Sequence, residues 1–166
     1  MNWDQYFVSM AYLVAMKSKD RSTKIGAVIV GPDHEIRSTG YNGMPRGAND
    51  NADERHERPL KYALTEHGER NAIFNAARMG ISVVNCTMYT LDFPCVDCAR
   101  AIIQSGIRKL VYHAEFAKEN KSRPQWEESW KNADMLLRES GVEVVVYDGP
   151  IIGSITGFRS GKVMVL

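Results

Sequence analysis

His67-Gly68-Glu69, followed after 24 residues by Pro94-Cys95-Val96-Asp97-Cys98, is the stretch from which the rest of this chain is read. One histidine nitrogen and two cysteine sulfurs can fill three of the four tetrahedral positions around Zn²⁺. The fourth is left open for a water, which marks a catalytic rather than a structural zinc. Glu69 stands two residues beyond the histidine, so its carboxylate can meet that water without being a ligand. A helix-like run lies behind each half. One predicted helix covers Glu66 to Met79, with Thr65 as N-cap and Gly80 as stop; another covers Cys95 to Ser105 and ends at Gly106. His67, Cys95 and Cys98 then fall in first turns, where the partial positive charge of the helix lowers a thiol pKa. An i, i+3 cysteine pair also projects from one helix face, so both sulfurs can reach one ion.

Outward from these two segments, helical and strand signals alternate. From about Trp3 to Lys19, Tyr6, Phe7, Met10, Leu13, Val14 and Lys17 recur at i, i+3/i+4 spacing and predict an amphipathic helix. Ile25 to Val30 is a continuous apolar run, Gly31-Pro32-Asp33 closes it, and Glu35 to Tyr41 returns, which predicts a hairpin. Asn42 to Glu57 reads as a polar loop. Further strands are predicted at Ser82 to Thr90, Lys109 to His113 and Val142 to Tyr147, with a helix from Pro124 to about Ser140 stopped by Gly141. This order predicts an α/β sandwich with a parallel portion in its sheet. No repeat or second domain is visible, so residues 1–166 are expected to form one domain. The tail from 147 to 166 is expected to be tied against the body or a neighbouring subunit.

Composition narrows the field. Hydrophobic residues make up 44% and charged residues 25%, ordinary for a globular protein of 166 residues. The net charge of +1, with no dense Lys/Arg block, argues against a surface built to grip nucleic acid. No stretch approaches a membrane span, and the start lacks the basic and apolar regions of a signal peptide. Three cysteines, two of them candidate metal thiolates, fit a reducing compartment and a cytoplasmic location. Cys86 is expected to be a buried core thiol. A closed structural zinc would need a fourth ligand from His34, His56, His113 or Cys86. None is paired with another ligand at short spacing, and the three histidines read as surface or supporting residues.

The H-x-E…P-C-x-x-C pattern is the signature of the zinc nucleoside and nucleobase deaminases. Three further segments resemble the deoxycytidylate (dCMP) deaminases of that superfamily: Ser22 to Val30, Gly40-Tyr-Asn-Gly-Met-Pro-Arg-Gly47, and Phe93 to Ile107. The likeness covers roughly residues 3 to 147. Cytidine deaminases generally place Cys where His67 stands, and tRNA adenosine deaminases usually lack the Gly40–Gly47 loop. The resemblance implies a cytidine-deaminase-like three-layer α/β/α sandwich on a mixed, partly parallel five-stranded sheet. It also implies zinc-dependent hydrolysis of dCMP to dUMP and ammonia, supplying thymidylate synthesis. Glu69 would be the proton shuttle, carrying a proton from the zinc water to N3 of cytosine and then to the departing amine. The alternatives are another free nucleotide or base, including dCTP or cytidine, or a non-catalytic zinc-bearing nucleic-acid-binding module. Glu69 and the near-neutral charge oppose the last.

Finer roles are carried over by the same resemblance. Asn42 would hold the sugar hydroxyl, and Phe116 would stack on the base. The 5′-phosphate needs a cation; Arg21, Arg46, Arg58 and Arg123 are all possible, with Arg123 taken as the substrate residue. Lys24, Gly40, Gly43 and Arg46 would form a regulatory nucleotide site where dCTP with Mg²⁺ activates and dTTP inhibits, within a homohexamer. Gly68 replaces the alanine usual between the histidine and the glutamate and is expected to add slight backbone freedom. The short, cysteine-free loop before His67 leaves no place for a second structural zinc.

Overall fold

The computed structural model describes residues 1–118 and 124–153, and the backbone of 156–159 and 162–165. Arg123 therefore lies outside the described residues. Helix α1 (Trp3–Ala15) opens on Asn2, whose side chain accepts the Gln5 amide at 2.8 Å. Its buried stripe is Phe7, Val8, Ala11 and Ala15. It ends four residues before the predicted Lys19. Ser18 and Asp20 turn their side chains back on the backbone, and this local competition halts the helix.

Strands β1 (Gly26–Val30) and β2 (Ile36–Tyr41) form the expected antiparallel hairpin. Strand β3 (Thr87–Thr90) pairs antiparallel with β1 and parallel with β4 (Lys109–His113), which pairs parallel with β5 (Glu143–Tyr147). The order β2-β1-β3-β4-β5 is thus a mixed five-stranded sheet. Strand alternation serves two cores. Ala27, Ile29, Met88 and Leu110 face one cluster; Val28, Val30, Tyr89 and Val111 face the other, built on α1. The first cluster is covered by α3 (Gly68–Arg78), α4 (Val96–Gln104) and α6 (Glu127–Glu139), so the three-layer expectation holds.

Element boundaries depart from the sequence reading in instructive places. The loop after β2 contains a 3₁₀ turn (Asp53–His56) and a short helix, α2 (Leu60–Leu64). Residues 82–86 do not extend β3: Asn85 takes φ +61 while Val83 and Cys86 still bury their side chains. Apolar character there reports burial, not pairing. Helix α5 (Ala114–Ala117) follows β4, and a 3₁₀ turn (Pro124–Trp126) precedes α6. In the tail, β6 (Thr156–Arg159) and β7 (Lys162–Val165) pair antiparallel. Before them the chain is held to the body by the Ile152 amide on Ser9 Oγ (2.9 Å). Among the described residues no helix is long and apolar enough to cross a membrane.

Candidate active site

The site lies where α3 and α4 begin, beyond the carboxyl end of β3. His67 is the N-cap of α3 and Cys95 the N-cap of α4, both in extended backbone, and neither side chain caps its own helix. The expectation of first-turn positions is corrected by one step for both; Cys98 does sit in the first turn of α4. The difference matters chemically, because a capping side chain would be spent on its own backbone. The Val96 amide is instead taken by Ser129 Oγ of α6 at 3.0 Å. His67 Nδ1 lies 3.4 Å from Cys95 Sγ and 3.5 Å from Cys98 Sγ. Tetrahedral zinc with its usual bond lengths separates nitrogen and sulfur ligands by about 3.6 Å, so the donor set fits the ion.

Among the described residues no other group of histidine, cysteine and acid atoms is close enough to hold a metal. His34 stacks on Trp3 and His56 bonds the Asp50 carbonyl. His113 is a correction to a surface position: it is buried between the Tyr12 hydroxyl (2.8 Å) and the Gly149 carbonyl (3.1 Å) and does not line the cavity that His67 and Cys95 face. Cys86 is a buried core thiol, as expected.

Charge is shared among the donors. The hydrogen bond with Cys98 pulls Cys95 down to about 4, against burial and with help from His67. Cys98 is pushed well above the usual thiol range by that same bond, by burial and by Glu69. The bond to Cys95 pushes His67 up to about 9. One thiolate is therefore available without a metal, and a divalent ion replacing the shared proton would stabilise the second. Glu69 is 4% exposed, and burial pushes its carboxyl up to about 7, partly offset by His67. A carboxyl titrating near neutrality can both accept and release a proton.

His67, Cys95 and Glu69 open on a cavity of about 350 Å³ whose wall also carries Asp20, Asn42, Arg58, Lys61, Tyr62, Phe93, Trp126 and Trp130. Asn42 lines it, but its amide is already engaged: Nδ2 donates to the Thr23 carbonyl (2.8 Å) and Asp20 Oδ2 (3.2 Å), and Oδ1 accepts from the Ile25 amide (2.8 Å). One lone pair on Oδ1 is left for a ligand. Phe116 is placed elsewhere, packed edge-on to Tyr12 at 6.1 Å in the α1-side core. The aromatic faces at the cavity belong to Phe93, Tyr62, Trp126 and Trp130, with Trp126 6.1 Å from the His67 ring.

The residues of the expected regulatory site are not gathered together. Gly40 is closed against α3: a Cβ there would meet Ala72 N at 2.2 Å and Gly68 O at 2.4 Å, so no nucleotide can approach its backbone on that side. Arg46 bonds Asn75 of α3, and Lys24 is exposed outside the cavity wall. Only Gly43 borders a second, smaller cavity of about 100 Å³, with Lys17, Lys19 and His56. Gly43 also forms a two-way backbone bridge with Glu66, whose carboxylate accepts the His67 amide at 3.0 Å. Nor is Gly68 a source of freedom; an added Cβ would come within 2.9 Å of Ile25 O.

Sequence reasoning missed the Asp20–Lys61 ion pair (2.7 Å), both side chains nearly buried. Asp20-x-Ser22 is an Asx-turn signal, and that alone could have drawn attention to it. Nothing local marks Lys61, which lies 41 positions from its partner.

The family described as "Cytidine and deoxycytidylate deaminase zinc-binding region" matches residues 1–114. The chain belongs to this family. Mouse deoxycytidylate deaminase is 38% identical over 120 residues, covering 69% of this chain and 66% of the mouse protein. The chain thus spans about two thirds of that relative. An uncharacterised deaminase of Aliivibrio fischeri is 42% identical over 142 residues, covering 86% of this chain and 91% of the relative. The dCMP deaminase of cyanophage S-TIM5, solved with dCMP and dUMP, shares the fold at a TM-score of 0.67 with 23% identity, covering 86% of this chain and 95% of that one. The deaminase-family zinc region and the His67, Cys95 and Cys98 donors therefore coincide in this chain.

Proposed function

We propose that this chain hydrolyses dCMP to dUMP and ammonia. One observation carries the reading: three residues able to hold zinc lie together, and two of them, His67 and Cys95, share a cavity wall with the buried Glu69 carboxyl. Zinc, when bound, supplies the Lewis acid that makes water nucleophilic near neutral pH. Glu69 moves two protons: its Oε atoms take one from water and pass it to N3 of the cytosine ring, then take the proton of the new C4 hydroxyl and pass it to the amine as the C4–N bond breaks and the C4 carbonyl forms. Phe93 and Trp126 offer apolar faces to the base, and Asn42 Oδ1 can accept from the sugar hydroxyl. The specificity for deoxycytidylate is supported by the mouse relative's activity and by the ligands of the cyanophage enzyme.

The same reading extends to regulation and assembly. Activation by dCTP with Mg²⁺, inhibition by dTTP, and a homohexamer are supported by the likeness of the Gly40–Gly47 loop alone, because Lys24, Gly40, Gly43 and Arg46 do not share one cavity. The Gly43–Glu66 bridge would tie that loop to His67. The three free thiols support a cytoplasmic place. Ammonia release from the zinc-loaded protein decides the central claim. We expect dCMP to exceed deoxycytidine, dCTP and single-stranded oligonucleotide as substrate. Turnover of the oligonucleotide alone, or of none of the four, would discard it.

A further inference from the structure

Apart from His67, the cations lining the cavity among the described residues are Arg58 and Lys61, and their situations are opposite. The Lys61 ammonium donates to Asp20 Oδ1 at 2.7 Å and to Ser22 Oγ, with its side chain 11% exposed. Its charge is answered within the protein. Among the described residues no carboxylate pairs with Arg58; its guanidinium lies over the Tyr62 ring, 5.6 Å from the centroid. Tyr62 meets Trp126 edge-on at 5.8 Å, and Trp126 lies 6.1 Å from the His67 ring. These aromatic contacts form one wall from the candidate zinc donors to the Arg58 guanidinium.

We infer that Arg58 recognises the 5′-phosphate and sets the preference for a nucleoside monophosphate over the free nucleoside. The inference rests on the deaminase reading above and names the residue that gives it substrate class. With its reacting carbon at the zinc donors, a deoxynucleotide extends its phosphate outward along this wall. The other cavity charges there cannot serve: Asp20 and Asp92 repel a dianion, and Lys61 is committed to Asp20. A guanidinium presents a planar fork of donors that matches two phosphate oxygens. Stacking on Tyr62 limits its freedom beforehand, which lowers the ordering cost of binding. Among the described residues the rival arginines are occupied elsewhere, and Arg123 lies outside those residues. Arg21 pairs with Asp53 at 2.5 Å and Arg46 bonds Asn75, and neither lines the cavity.

The test is a double difference on the zinc-loaded, full-length protein. Values of kcat/KM for dCMP and deoxycytidine are measured in the parent, Arg58→Ala and Arg58→Lys. We expect Arg58→Ala to lower the dCMP-to-deoxycytidine ratio by about 10- to 100-fold, the worth of hydrogen bonds to a charged group. The loss should be carried by dCMP, mainly in KM, with Arg58→Lys intermediate. Calorimetric binding of dUMP and deoxyuridine reads the same contrast without turnover: Arg58→Ala should weaken dUMP and spare deoxyuridine. Because Arg58 is exposed, the melting temperature should not move. An unchanged ratio together with unchanged dUMP binding overturns the inference. A parent protein that deaminates neither compound overturns the dCMP reading, and the dUMP titration then still decides whether Arg58 binds phosphate.

Discussion

At the metal end of the cavity, all three donors come from the N-cap or first turn of a helix, whereas the outer end is assembled from distant pieces. Asp20 comes from the turn after α1, Lys61 from α2, and Trp126 from the turn before α6. The metal end is a backbone device: two extended N-cap residues aim a nitrogen and a sulfur at one point, and Ser129 relieves Cys95 of capping. The outer end is a side-chain device, held by one buried ion pair and a train of ring contacts. Local geometry makes the first tolerant of remote change. The second depends on how three segments pack, so the two ends should fail differently.

The largest break is expected at the donors themselves. Cys95→Ser should abolish both zinc content, about one ion per chain in the parent, and ammonia release, because hydroxyl is a far poorer zinc ligand than thiolate. Metal analysis of the purified variant checks this; retained zinc at full rate would dissolve the site. Glu69→Gln should keep zinc and the fold while turnover falls by about 10²- to 10⁴-fold. Near-parent turnover in that variant would move the proton shuttle to another group.

The outer end should respond in stability. Lys61→Met strands the Asp20 carboxylate and should cost about 3–5 kcal/mol in chemical denaturation. The loss carries a pH signature. Burial alone would raise the Asp20 carboxyl, but hydrogen bonds from Lys61, Thr23 and Ser22 outweigh it and hold the group below its usual value. Its stabilising contribution is therefore complete above the unfolded carboxyl pKa of about 4 and drains away as pH falls through the lower folded value. Lys61→Met should flatten that acid limb, a comparison read from denaturation midpoints at pH 7 and pH 3. Identical limbs would show that the pair does not couple to folding.

Gly68→Ala tests the seam between the two ends, since the new methyl meets Ile25 O, whose neighbourhood positions Asn42. We expect a stability loss of about 1–3 kcal/mol, as for other overpacked sites. The smallest effect should come from Phe116→Leu. A half-buried core ring on the α1 side should cost about 1 kcal/mol and leave the KM for dCMP unchanged, whereas Trp126→Ala should raise KM. Equal KM shifts from both would return Phe116 to the base.

The sequence by itself marked His67, Cys95 and Cys98 as candidate zinc donors beside Glu69, and determined the α/β order and the hairpin of β1 and β2. Each is written at short range: ligand spacing is set by helix and strand periodicity, and an apolar run of strand length has few alternatives. It erred where the same local pattern serves two structures. Ser82 to Cys86 looked like strand because it is apolar, yet its burial comes without pairing, and α2 (Leu60–Leu64) is too short to show a period. Phe116 carried no mark of which face of the sheet it would join; it lies three residues after β4, and the turn into α5 decides that. Only the tertiary structure made Asp20 and Lys61 partners, closed Gly40 against α3, and, among the described residues, left Arg58 without a carboxylate beside the cavity. These are contacts between residues tens of positions apart, and their energies exist only once packing has removed the water between them.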